Sequence, residues 1–238
     1  MNRKIKFKDW IAFENDDYIV INKPAFMSTL ADRKGEICVL DLSKDYCSDS
    51  SVCHRLDKET SGALLIAKSK DAYKHASKQF TERTVEKTYH AVAEGVHQFE
   101  NEIIDKPLLI APSGSVRISA SKGKKSSTVV SSLEYYKFHT LVSCKPITGR
   151  MHQIRIHMAS VGAPLMADLT YGGKHLYLSE LKKKYKFKTE KEERPLMSRV
   201  ALHAFSLKFI DLQGNEQYIE CPYPKDFRVV LNQLAKNI

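Results

Sequence analysis

The chain has 238 residues with 38 Lys+Arg against 28 Asp+Glu, a formal net charge of +10, and 42% hydrophobic residues. That composition excludes intrinsic disorder, collagen-like repeats and low-complexity sequence. The longest apolar runs, such as residues 63–67, are five or six residues long, against the ~20 that a spanning helix needs, so no membrane partner is expected.

The N-terminal stretch carries Arg3, Lys4, Lys6 and Lys8 but no apolar run follows it, which does not fit a secretory signal. Its five cysteines are odd in number and form no CxxC pair, so reduced thiols and a cytoplasmic location are expected. His152 and His157 are five apart and do not share a helix face as metal ligands would, so no metal is expected.

Taken in chain order, residues 18–22 read as a buried strand stopped at Lys23-Pro24. A second strand, residues 63–68, follows the turn-forming Ser61-Gly62. Tyr73, Ala76 and Phe80 sit at helical spacing and predict an amphipathic helix over 71–83. Residues 87–94 alternate, with Tyr89, Ala91 and Ala93 on one face, as a strand does. Residues 128–133 and 140–145 read as a hairpin pair, and 149–161 as a helix ending at Gly162. Strands return at 201–210 and 218–221, with a charged insertion at about 174–199 before them. Strands that follow one another directly argue for an α+β fold with a substantially antiparallel sheet.

The excess positive charge is clustered. Lys6 and Lys8 end a basic arm; Arg117, Lys122, Lys124 and Lys125 form a second group. The third runs from Lys174 to Arg199 and holds Lys182, Lys183, Lys184, Lys186 and Lys188, interleaved with Tyr185 and Phe187. A single lysine-rich loop merely solvates a surface, but three on one basic chain point to a polyanion, RNA or DNA.

Two segments combine residue types that a core does not need. In residues 54–62, His54, Arg55 and Asp57 precede a tight turn and an apolar strand, which sets an acidic side chain on a rigidly braced loop. An ordinary capping role for the Asp or Thr is the alternative reading. In residues 148–157, a helix would set Arg150, Gln153 and His157 near one face and His152, Arg155 and Ile156 near another. No carboxylate lies within that segment, so its arginines must meet one elsewhere in the fold, or phosphate.

The segment HRLDKETSGALLIAKS (54–69) resembles the signature of the RluA-type pseudouridine synthases. Three more segments resemble the family in its own order: YIVINKPAFMS (18–28), EKTYHAVAEG (86–95) and KPITGRMHQIRIHMASVGAPLMADLTYG (145–172). The resemblance covers roughly residues 10–230. It implies a pseudouridine-synthase-like α+β fold, with residues 1–238 forming a single catalytic domain and no separate N-terminal RNA-binding domain. It also implies isomerisation of uridine to pseudouridine in structured ribosomal or transfer RNA, without metal or organic cofactor. Asp57 matches the essential aspartate, as nucleophile or base; Tyr89 matches the tyrosine stacked on the target base. Arg155 matches the arginine paired with that aspartate, and Arg55 the residue that replaces the extruded base.

Lys23, Arg150, Lys182, Lys183 and Lys184 are further candidates for the RNA surface, and a monomer is expected. His54, His152 and His157 read as structural. Independent physics points the same way, because a flipped base needs an aromatic platform and a desolvated carboxylate needs a cation to stay ionised. The chain departs from the family at Ala25-Phe26, where Lys-Pro-x-Gly is usual, and at residues 162–168, where Gly-His-Pro-Ile-x-Gly-Asp is usual. The leucine usual at position 63 is alanine here. Competing readings are a non-catalytic RNA-binding protein on the same fold and a metal-dependent nuclease, the latter short of the convergent carboxylates it requires.

Overall fold

The computed structural model describes residues 6–31, 35–182 and 192–237. They fall into two compact units, residues 1–88 with 203–222, and residues 89–202 with 223–238.

The first unit begins with a 3-10 turn, Phe7–Trp10, and strands β1 (Ile11–Glu14) and β2 (Tyr18–Lys23). Helix α1 (Val39–Tyr46), the short β3 (Ser51–Val52), β4 (Ser61–Ala67) and α2 (Lys70–Glu82) follow. β2 and β3 pair antiparallel with β4, and β1 pairs antiparallel with β2. All seven residues of β4 are buried, so it reads as a continuous apolar run and not as an alternating one. Gly62 makes its register possible: a Cβ there would lie 2.1 Å from the Ala204 carbonyl oxygen. α2 is opened by the Ser69 hydroxyl, which accepts from Ala72 N–H at 3.2 Å, a cap worth about 1 kcal/mol. It closes where Arg83 turns left-handed.

β5 (Glu86–Glu94) passes from the first unit into the second. There come β6 (Glu102–Asp105), a small hairpin of β7 (Leu108–Ile110) and β8 (Val116–Ile118), then β9 (Ser127–Tyr135) and β10 (His139–Pro146). β10 pairs antiparallel with both β5 and β9, and β6 lies antiparallel on β9. Helix α3 (Gln153–Ser160) sends Ile154 and Met158 into a core with Ala91, Ala93, Val130, Val142 and Leu165, against which Tyr89 packs. Helix α4 (Leu178–Leu181) is short. β11 (Leu202–Ile210) returns to the first unit, parallel to β4 and antiparallel to β12 (Glu216–Glu220). Helix α5 (Lys225–Ala235) buries Phe227, Val230 and Leu234 with Val92, Leu141 and Met197. The arrangement is α+β, mixed and largely antiparallel.

The helix expected over 149–161 starts later, at Gln153, because His152 sits at φ 53. Of the insertion at 174–199, residues 183–191 lie outside the described residues. Arg199, the last of its basic run, is not a surface charge: it is 1% exposed, and its Nε donates to Asp226 Oδ2 at 2.7 Å. No helix is long and apolar enough to cross a membrane, among the described residues.

Candidate active site

Asp57 lies half-buried in the first unit, on the loop that feeds β4. The loop is pinned on both sides of it. Before it, the buried Thr29 hydroxyl donates to the Leu56 carbonyl at 3.0 Å and accepts from Leu56 N–H at 3.2 Å. After it, Thr60 N–H donates back to the Asp57 carbonyl at 3.0 Å, closing a turn. At the loop's start, Leu65 N–H donates to His54 Nε2 at 3.1 Å, so His54 is a neutral acceptor there. Burial, with Lys87 adding to it, pushes the His54 imidazole down to about 3. A carboxylate on such a loop is held in place by its neighbours before any substrate arrives.

Lys23 departs from the expectation that it serves the RNA surface. Its side chain is fully buried, and its ammonium donates to the carbonyls of Pro24 and Met27 at 2.9 Å each and of Lys58 at 3.4 Å. A lysine that ends an apolar strand reads as exposed in sequence. Here the loop at 24–28 curls back to present carbonyls to it, and it ties that loop to the residue after Asp57. Arg55, by contrast, is exposed.

Arg155 lies in the second unit, on α3. Its Nε and Nη2 each donate at 2.7 Å to the two oxygens of Asp168, a side-on fork between an almost buried guanidinium and a fully buried carboxylate. The guanidinium carbon stands 5.1 Å from the centroid of the Tyr171 ring. Tyr171 in turn places its hydroxyl 3.0 Å from His152 Nδ1. One carboxylate that meets this helix is Asp168, within its own unit. The expected pairing of Arg155 with Asp57 joins residues of different units.

The other polar residues of α3 are satisfied inside the fold. Gln153 accepts from the Thr148 hydroxyl at 2.6 Å and donates to the Ser127 carbonyl at 3.0 Å. His157 donates from Nε2 to the Lys106 carbonyl at 3.0 Å and accepts from Thr128 at Nδ1. Arg150 is half-buried, and its Nε finds no partner among the described residues. Tyr89 is half-buried, on the face of β5 that also carries Ala91 and Ala93. Lys182 is exposed; Lys183 and Lys184 lie outside the described residues. Among the described residues no cluster of His, Cys, Asp and Glu could hold a metal ion.

Backbone strain marks the same segments. Phe26, His152 and Ala167 have φ of 64, 53 and 61, a region that L side chains rarely adopt. Phe26 and Ala167 stand where the resemblance puts glycine. The left-handed geometry is kept at both positions without it.

An α+β fold that carries an aspartate loop and a buried arginine fork, in a chain of net charge +10, fits a class of enzyme that works on a polyanion. Comparison with known proteins makes it specific. Residues 17–160 match the family described as RNA pseudouridylate synthase. The chain is 32% identical over 99% of its length to ribosomal large subunit pseudouridine synthase C of Pasteurella multocida, covering 71% of that protein. It is 33% identical over 91% of its length to an uncharacterized RNA pseudouridine synthase of Zymomonas mobilis, covering 94% of it. The solved structure of human RNA pseudouridylate synthase domain containing 4 superimposes with a TM-score of 0.76 at 25% identity, over 96% of this chain and 94% of that one. The chain belongs to the RNA pseudouridylate synthase family. It is an isomerase that converts uridine in RNA to pseudouridine.

Proposed function

We propose that the two units act as one catalytic domain on a uridine flipped out of structured RNA, with Asp57 at the reacting sugar, Tyr89 against the base and Arg155 as the cation paired with Asp57. Flipping costs a few kcal/mol, which stacking on Tyr89, at ~1–3 kcal/mol, and phosphate contacts offset. The ionised carboxylate starts the reaction either by attack or by taking a proton. The glycosidic bond from the sugar C1′ to N1 breaks, the uracil turns, and C1′ rejoins at C5. The proton on C5 is lost and N1 gains one, so the product is an isomer and no cofactor enters the balance.

Arg55 enters the RNA helix in place of the extruded base. Arg150, Lys182, Lys183 and Lys184 contact phosphates. The names of the relatives support large-subunit ribosomal RNA as the target, with transfer RNA the alternative that mapping distinguishes. The enzyme works as a monomer in the cytoplasm.

The observation that carries this reading is the aspartate loop itself, pinned at His54, Leu56 and Thr60 around a half-buried Asp57. The purified Asp57→Asn protein should make no pseudouridine while its RNA dissociation constant stays within about threefold of wild type. Binding lost in step with turnover would contradict the assignment.

A further inference from the structure

Phe26 is a large apolar residue at the surface. It is 55% exposed, and no ring or cation of the described residues stacks on it. Its backbone sits at φ 64, where a bulky side chain is unfavourable and glycine is at ease. A large apolar residue that is both strained and wet is a feature to be explained by something outside the chain.

Its position supplies the explanation. The Lys23 ammonium binds the carbonyls of Pro24 and Met27, on either side of the Ala25-Phe26 pair, and also the carbonyl of Lys58, next to Asp57. Thr29, three residues after Phe26, holds Leu56 on the other side of Asp57. The loop that carries Phe26 and the loop that carries Asp57 are thus bolted together at two points, and both present side chains to solvent: the Phe26 ring and the Arg55 guanidinium. An exposed aromatic on an anchored loop, tied to a second loop that exposes a cation, is the composition that single-stranded or splayed RNA bases stack upon.

We propose that Phe26 is a stacking platform for an RNA base beside the target uridine, and so a determinant of which RNA the enzyme selects. This rests on the reading of Asp57 as the catalytic carboxylate. The partner is a nucleobase in an unpaired or distorted segment, not a phosphate.

The strain makes the test two-sided. Phe26→Gly removes the ring and relieves the backbone, so a role in binding and a role in folding predict opposite signs. RNA from cells lacking the gene, labelled with tritium at uridine C5, serves as substrate, and tritium release gives kcat and KM. For Phe26→Gly and Phe26→Ala we expect KM to rise about 5- to 150-fold, the range that loss of one stacked base implies, with kcat within about threefold. Phe26→Gly should melt no earlier than wild type. Phe26→Trp, made in a Trp10→Phe background so that it is the sole tryptophan, should keep KM within about threefold and lose emission when RNA binds. A KM within twofold of wild type in both the Gly and Ala variants overturns the proposal, as does earlier melting of Phe26→Gly or a tryptophan emission that RNA leaves unchanged. Should wild type itself release no tritium, the synthase reading fails, and the emission of Phe26→Trp still reads the RNA contact by itself.

Discussion

Around Asp57, single hydrogen bonds decide geometry. The Thr29 hydroxyl serves both the N–H and the C=O of Leu56, and both residues are at most 5% exposed. Thr29→Val keeps the shape and removes both bonds, leaving two buried backbone groups unpaired at about 1–3 kcal/mol. Urea unfolding should show a loss of that size, and kcat should fall with KM nearly unchanged, because the carboxylate next door loosens. A stable variant with unaltered kcat would show that the Leu56 clamp does not position Asp57. Such clamps are not legible in sequence: Thr29 and Leu56 are 27 residues apart, and nothing in either segment announces the other. Lys23 misleads for the same reason, since the carbonyls of Pro24, Met27 and Lys58 are made available to it by loop shape.

Among the elements, α3 shows how a polar helix can be a core helix. Gln153, Arg155 and His157 are all buried, and each has a partner off the helix. Breaking the fork by Asp168→Asn takes from the buried Arg155 guanidinium the carboxylate that binds it side-on, a loss of about 3–5 kcal/mol. Replacing both partners, as Arg155→Met with Asp168→Leu, should restore much of that stability and still yield no turnover. Thermal melts and tritium release on the same samples separate the two effects; turnover in the double variant would remove Arg155 from the chemistry. The elements that periodicity locates, such as β4, α2 and the β9–β10 hairpin, each carry several buried residues at a regular spacing or in an unbroken run. α3 begins later than its spacing suggests, because the turn at His152 depends on a left-handed residue that no propensity favours. α5 went unread although Phe227, Val230, Leu231 and Leu234 carry the helical spacing, and α1 buries too few residues, Val39 and Ser43, to give a clear stripe.

For the molecule as a whole, histidines kept neutral by burial weaken the fold in acid. Burial lowers the imidazoles of His54 to about 3 and of His90 to about 4, and those of His139 and His157 also move down. In the unfolded chain they titrate near 6.5, so below that pH the unfolded state binds more protons than the folded one. Their stabilising contribution is complete above about pH 6.5 and is lost as the pH falls toward 4. Denaturant midpoints should therefore drop steadily across that window, and His54→Gln should flatten the curve; a midpoint constant from pH 7 to 4.5 would contradict the buried neutral state. The four ordered motifs made the family legible, because each of them holds chemistry-bearing residues at fixed spacing. The strained Phe26 and the Asp168 fork needed coordinates.

The most direct test of the central claim is a transcriptome-wide map of pseudouridine in cells lacking the gene, complemented with wild type or with Asp57→Ala. One or a few ribosomal RNA sites should vanish on deletion and return with wild type alone. A map unchanged by deletion, or restored equally by Asp57→Ala, would contradict it.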